Sequence, residues 1–359
     1  MKISKELSLT MKGIAIMFIA LHNFLHLERF GLVQENEMQF DFNRTTQFFD
    51  HLQAFSWTII YDIFSFIGWC GVPVFVFLSG YGLSMKYEHP KTSIDAKSYI
   101  RHSYLKLLVL ILPATLFFLI YQLSNEQYLR ALFSCFSSFT FLNTLVSYGI
   151  SIPSAAAPYW YFALTLQLYV LYLILYKFSN RSLVYVALIF ILIQFAINPD
   201  CFATTDLLHY VKKNFYGWLP FFILGLFCAR KGGLLLSNRL LVSLISLLSF
   251  VLIFLMNINY YLWIMMPFAS IVFFLSISIL LNNITMLKKV GVWLGKNSPY
   301  IFVTHQISII LVLALIDKIP YDGMWVWVIL YIGFTLCLSL LYGCLHNYLS
   351  NLLLNRNLL

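Results

Sequence analysis

The chain is expected to fold as an all-α, polytopic membrane protein with about ten transmembrane helices and both termini cytoplasmic. Three observations lead there. Hydrophobic residues make up 61% of 359 positions against 10% charged, with a mean hydropathy of +0.82. Apolar runs of spanning length recur along the whole chain, and basic residues gather in one alternate set of connecting segments. So apolar a composition is foreign to soluble domains. A membrane barrel would need short alternating segments, whereas Leu105–Leu123 and Leu240–Met256 stay apolar for a full helical span.

The expected spans are 8–28, 66–85, 105–123, 159–177, 183–198, 214–229, 240–257, 261–281, 290–316 and 324–346. The basic start MKISKELSLTMKG leads into the first span without a small-x-small cleavage site, so this span reads as uncleaved. An even number of spans puts both termini on one side. With that side cytoplasmic, 17 of the 23 lysines and arginines fall inside, which is the expected sense for a multi-pass protein of the cell (inner or plasma) membrane. The net charge of +9 is accounted for by this bias and calls for no nucleic-acid partner. The six cysteines lack CxxC or His-paired spacing and read as packing residues, with no disulfide framework and no metal site.

Two segments do not read as simple spans. Glu28–Asp50 is polar and acid-rich and leads into a moderately apolar stretch carrying Asp62, expected to form an outer loop and an interfacial or half-buried helix. Tyr128–Pro158 is rich in Ser and Thr and is expected to lie over or re-enter the outer face, where protein or a water-filled cavity must cover its backbone. Asp62, Arg29 and Glu35–Glu37 are expected at the outer surface. Trp160, Tyr161, Trp325 and Trp327 are expected in the aromatic belts at the membrane boundaries.

The first span carries the chemistry. Leu9–Leu27 contains Lys12, His22, Asn23 and His26, and ionisable groups inside a bilayer helix are expensive and mark functional sites by default. A lysine at the cytoplasmic end can snorkel, but two imidazoles four residues apart share a helix face and cannot be explained as anchors. That face is expected to look into a polar cavity. A histidine alone in a membrane helix is also a common interhelical hydrogen-bond partner, so bracing is the competing role for each.

Five motifs in order then resemble the membrane acyltransferase-3 family, whose members O-acylate extracytoplasmic glycans. KGIAIMFIALH at Lys12–His22 is similar to the family's opening helix, and VFVFLSGYGLS at Val74–Ser84 to its Phe-rich segment ending in Ser-Gly-aromatic, here Ser79-Gly80-Tyr81. YIRHSYLKLLVLILP at Tyr99–Pro113 resembles the basic start of the family's third helix. WYFALTLQLY at Trp160–Tyr169 resembles its Trp-to-Tyr span, and LGKNSPYIFVTHQ at Leu294–Gln306 its penultimate helix, with Gly295, Ser298, Tyr300 and His305. The resemblance covers nearly the whole chain and implies a single membrane domain over 1–359.

Two departures bear on the site. The family's basic residue and histidine usually stand eleven positions apart, which stacks them on one helix face about 16 Å apart. Here that position holds Asn23, with His22 one residue early and His26 three late. His22 misses the Lys12 face by roughly 80° and His26 by about 40°. The wheel favours His26 and the local motif favours His22, so both remain candidates, with His22 placed first. The second departure replaces the glutamates of some relatives by Thr165 and Leu166.

The resemblance implies transfer of an acyl group, most simply acetyl, from acyl-coenzyme A (acetyl-CoA) to a hydroxyl of a cell-surface glycan or its lipid-linked precursor. Such a reaction needs a base near neutrality and a way to hold the donor's phosphates. Lys12, His22 and His26 are the expected catalytic residues. Asn23, Ser79, Tyr81, Arg101, Lys106, Trp160 and His305 are expected to bind donor or acceptor, with Lys12, Arg101 and Lys106 near the cytoplasmic helix ends suited to phosphate. No permanently bound cofactor is expected, and the partners are the bilayer, acyl-CoA, the glycan and its assembly proteins. The alternatives are a transporter or flippase for a lipid-linked glycan and a non-catalytic partner in glycan assembly.

Overall fold

Ser4 opens the first helix. Its hydroxyl accepts from Leu7 N at 3.1 Å, and α1 (Lys5–Leu25) runs from there to His26, whose backbone N–H closes on His22 O. The computed structural model describes residues 2–54, 57–88, 93–144, 156–198, 205–232, 238–319 and 323–353. They are helical almost throughout, with no strand among them. After α1 come α2 (Phe42–Gln53), α3 (Ile59–Ile67), α4 (Val72–Tyr87), α5 (Ala96–Ser124), α6 (Tyr128–Thr140) and α7 (Trp160–Leu175). The chain continues through α8 (Asn180–Ala196), α9 (Thr205–Lys213), α10 (Phe215–Lys231), α11 (Arg239–Leu255), α12 (Tyr260–Leu281), α13 (Thr285–Ile316) and α14 (Met324–Leu353).

Among the described residues, eight stretches are long and apolar enough to cross a membrane: 5–25, 59–87, 96–124, 157–175, 239–258, 260–281, 285–316 and 324–353. The second joins α3 and α4 through a 3-10 turn at Gly68–Gly71. The remaining two expected spans correspond to α8 and α10, each 17 residues long. Caps recur where the sequence turns: Asp95, Ser179, Asn238 and Asn259 each accept a backbone N–H at the start of a helix. The helices are also sorted as a lipid environment demands. On α11, Leu240, Leu244, Leu247 and Leu248 are exposed, whereas Val242, Ser246, Ser249 and Ile253 are buried.

The chain divides into two compact units, residues 1–82 with 221–336, and residues 83–220 with 337–359. In the first, α1 lies along α13 at backbone contact. A Cβ on Gly13 would stand 2.2 Å from Gly291 O, and one on Gly295 would stand 1.9 Å from Leu9 O, so only glycine permits this approach. Thr10 Oγ1 donates to Asn282 Oδ1 at 2.8 Å beside the same crossing. On another side of α1, Tyr331 of α14 donates its hydroxyl to Ala20 O at 2.8 Å and stacks on Phe24. A second glycine contact joins α4 to α10, where a Cβ on Gly80 would meet Phe222 O and one on Gly225 would meet Phe77 O.

In the second unit, Pro113 interrupts α5. The Tyr342 hydroxyl bridges the interruption, donating to Leu110 O at 2.6 Å and accepting from Ala114 N at 3.3 Å. A half-buried amide knot ties α7 to the start of α10. Gln167 Nε2 donates to Thr144 Oγ1 and Asn214 Oδ1, Gln167 Oε1 accepts from Phe215 N, and Asn214 Nδ2 donates to Thr144 O. Beside it Lys212 of α9 is buried, and burial pushes its ammonium down to about 7.

Three expectations about placement change. Asp62 is fully buried rather than at the outer surface, because the polar segment before α2 folds back and gives it partners. Trp160 and Trp327 are buried rather than in a belt, whereas Trp325 is exposed. Trp160 stacks on Trp218 at 6.0 Å within the second unit. The five described cysteines are free thiols; Cys201 lies outside the described residues, as does most of the SIPSAAAP run at 151–158.

Candidate active site

Four of the ten singled-out residues meet at the far end of α1. His22 is buried, and its Nδ1 faces Ser65 O of α3 at 2.9 Å. A carbonyl oxygen only accepts, so this contact places the ring proton on Nδ1 and leaves the lone pair on Nε2. His26 occupies the cap of α1 and repeats the pattern, with Nδ1 facing His22 O at 2.8 Å. The two rings stack with centroids 4.7 Å apart and planes 15° from parallel. The i,i+4 spacing at the end of α1 puts the second ring over the first.

His305, on α13, is fully buried and turns its Nδ1 to Phe302 O at 2.6 Å. Its Nε2 faces Gln306 Nε2 at 3.3 Å, and Gln306 Nε2 also donates to Asn23 Oδ1 at 3.2 Å. The amide thus couples the ninth expected span to the first. Asn23 completes the link by donating to Ile19 O at 2.8 Å. His305 and His26 both lie within electrostatic reach of His22. His305 therefore has both ring nitrogens engaged, and each ring of the stacked pair has its Nδ1 tied to a carbonyl.

The outer segment closes over this group. Gln34 Nε2 donates to His26 O at 2.9 Å, and Ser65 Oγ donates to Val33 O at 2.6 Å. Asn36, buried, accepts Trp263 Nε1 on its backbone oxygen at 2.7 Å, which anchors the same segment to α12. Gly68 is needed beneath His22, since a Cβ there would stand 2.5 Å from His22 Cβ.

The other singled-out residues lie elsewhere. Lys12 is half-buried on α1, one residue before the Gly13 contact with α13. Tyr81 holds the start of the chain, its hydroxyl accepting from Ile3 N at 2.8 Å. That is the opposite end of α1 from His22, about 25 Å away along the helix. Ser79 is half-buried beside Gly80, whose close contact with α10 gives the Ser-Gly pair a packing role. Arg101 and Lys106, both exposed on α5, and Trp160 on α7 belong to the second unit. Ser65, Gln34 and Gln306 did not stand out in the sequence. A glutamine directly after an intramembrane histidine was a usable signal for Gln306, whereas Ser65 acts through its backbone, which no residue type announces.

A family model described as an acyltransferase domain matches residues 10–344, nearly the whole chain. No curated protein and no solved structure matches it. The match spans every motif that carried the resemblance, from within α1 to within α14, and the helical architecture is that of a multi-pass membrane protein. The chain belongs to the acyltransferase-3 family and is a membrane acyltransferase.

Proposed function

We propose that the protein is a membrane O-acetyltransferase that moves an acetyl group from acetyl-coenzyme A to a hydroxyl of a cell-surface glycan or its lipid-linked precursor, with His22 as the base. The observation that carries this reading is the Nδ1 contact of His22 with Ser65 O, which presents Nε2 as an acceptor before any substrate arrives. In the reaction, the acceptor O–H gives its proton to His22 Nε2 as its oxygen bonds to the thioester carbonyl carbon. The tetrahedral intermediate then expels coenzyme A by breaking the C–S bond, and the imidazolium returns the proton to the leaving thiolate. The products are the ester and the free thiol, and no covalent acyl-enzyme is required.

His26, stacked on His22, holds the ring plane and is the second candidate base. Gln306 and His305 brace the Asn23 side of the helix. Lys12, on the same helix as His22, is assigned to the donor's phosphates, for which an ammonium point charge is suited. This orientation takes the N-terminal end of α1 as cytoplasmic, where the donor is made.

The test is transfer of label from radiolabelled acetyl-coenzyme A to total surface glycan by purified protein, with His22→Ala, His26→Ala and the double variant. Loss of a general base lowers the rate by about 10²–10⁴-fold, and that loss is expected for His22→Ala. Full activity in the double variant refutes the base assignment. No transfer from acetyl, succinyl or longer donors refutes the donor class.

A further inference from the structure

We infer that Asp62 is a positioning residue for the reaction, acting on His22 through Val33 and Ser65; this rests on the reading of His22 as the base. Asp62 is a fully buried carboxyl group on α3. Its Oδ1 accepts from Val33 N at 3.2 Å, and its Oδ2 accepts from Thr58 Oγ1 at 3.1 Å. His51, on α2 and partly exposed, places Nδ1 3.3 Å from the same Oδ2. Three residues further along α3, Ser65 Oγ donates to Val33 O at 2.6 Å. One turn of α3 therefore grips both the N–H and the C=O of a single residue in the outer segment.

The same Ser65 holds His22, since its backbone oxygen faces His22 Nδ1 at 2.9 Å. Val33's neighbour Gln34 reaches the other histidine, donating to His26 O at 2.9 Å. The segment from Val33 to Gln34 is thus pinned by α3 on one side and by the end of α1 on the other. Asp62 contacts neither imidazole in this arrangement. What it controls is the position of the carbonyl that sets the tautomer of His22 and of the amide that caps His26. A buried carboxyl group carries a large desolvation penalty that apolar packing would avoid, which is consistent with a specific bracket rather than generic stability.

The experiment compares Asp62→Ala, Asp62→Asn and Ser65→Ala with His22→Ala in the label-transfer assay, per mole of folded protein. An asparagine keeps an oxygen for Val33 N–H, so Asp62→Asn is expected to retain kcat within threefold. Asp62→Ala and Ser65→Ala are expected to lose 10- to 100-fold in kcat with the KM for acetyl-coenzyme A unchanged, the size of effect that sub-ångström to 1 Å misplacement produces. Adding Asp62→Ala to His22→Ala is expected to cause no further loss, because both act at one group.

Wild-type kcat in Asp62→Ala, or a further tenfold loss on the His22→Ala background, overturns the inference while leaving His22 as the base. Wild-type activity in His22→Ala overturns the base reading and the inference with it. Should Asp62→Ala fail to fold, Ser65→Ala decides: it leaves its own backbone oxygen in place, and wild-type kcat in that variant overturns the bracket.

Discussion

Gly295→Ala should damage both the fold and the reaction, although residue 295 lies three helical turns from His305 on α13. The added Cβ would stand 1.9 Å from Leu9 O, 2.6 Å from Leu9 C and 2.9 Å from Leu9 Cα, all backbone atoms of α1. No side chain there can rotate away, so the helices must separate by about 1.5 Å to restore ordinary contact. Overpacking of this kind costs about 1–3 kcal/mol. The better helix propensity of alanine returns at most about 1 kcal/mol, so destabilisation wins. The separation also strains the links along the same interface. The Gln306–Asn23 contact is already 3.2 Å, and the Thr10–Asn282 bond is 2.8 Å. A shift of that size is expected to break the first and lower transfer by about 10- to 100-fold. The assays are the thermal midpoint in detergent and label transfer, with Gly333→Ala as control because nothing lies within 4 Å of its added Cβ. A Gly295→Ala protein matching Gly333→Ala in both would refute the argument from close helix contact.

Gln306→Leu removes the amide that joins His305 to Asn23, and is expected to reduce kcat by about tenfold with a smaller effect on stability, because a hydrogen-bonded pair within a membrane is worth only about 0.5–2 kcal/mol; an unchanged pH–rate profile and kcat would sink this role. Lys212→Met is expected to raise the thermal midpoint at neutral pH. The Lys212 ammonium is pushed down to about 7 by burial, so between there and the ordinary value the unfolded chain holds more protons and wild-type stability rises with pH. The advantage of methionine is therefore full below about pH 7 and shrinks above it, by up to about 1.4 kcal/mol per pH unit. An advantage that grew with pH would show that another group controls the effect.

The helices were legible because a bilayer imposes one length and one pattern on every span, and each expected span has a helical counterpart, eight of them long and apolar enough to cross a membrane. Their ends were less so: Ile59–Ile67 did not read as part of the second span, because Asp62 looked like a surface residue. A carboxyl group becomes affordable in the interior only when donors converge on it, and Val33 N–H comes from a loop whose path no local pattern encodes. The histidine cluster was legible as a cost: imidazoles in a bilayer helix demand partners. Choosing between His22 and His26 by helical phase treated them as rivals, whereas their i,i+4 spacing stacks both rings at one place. Trp160 and Trp327 followed the statistics of membrane aromatics to the boundary, while specific packing drew them inside.

The glycine contact between α1 and α13 also limits how the molecule can work. With Gly13 and Gly295 meeting the opposing helix at its backbone and Gly291 packed on the Thr10 side chain, the pair has little side-chain layer on which to slide. Sliding one helix past the other by a turn would drive Cβ atoms of neighbouring residues into the facing backbone. The two helices should then travel as one body through the catalytic cycle, with His22 at a fixed depth. On the proposed reading of His22 as the base, the acyl group is then brought to the histidine, and the gates that admit donor and acceptor must be sought in elements other than this pair.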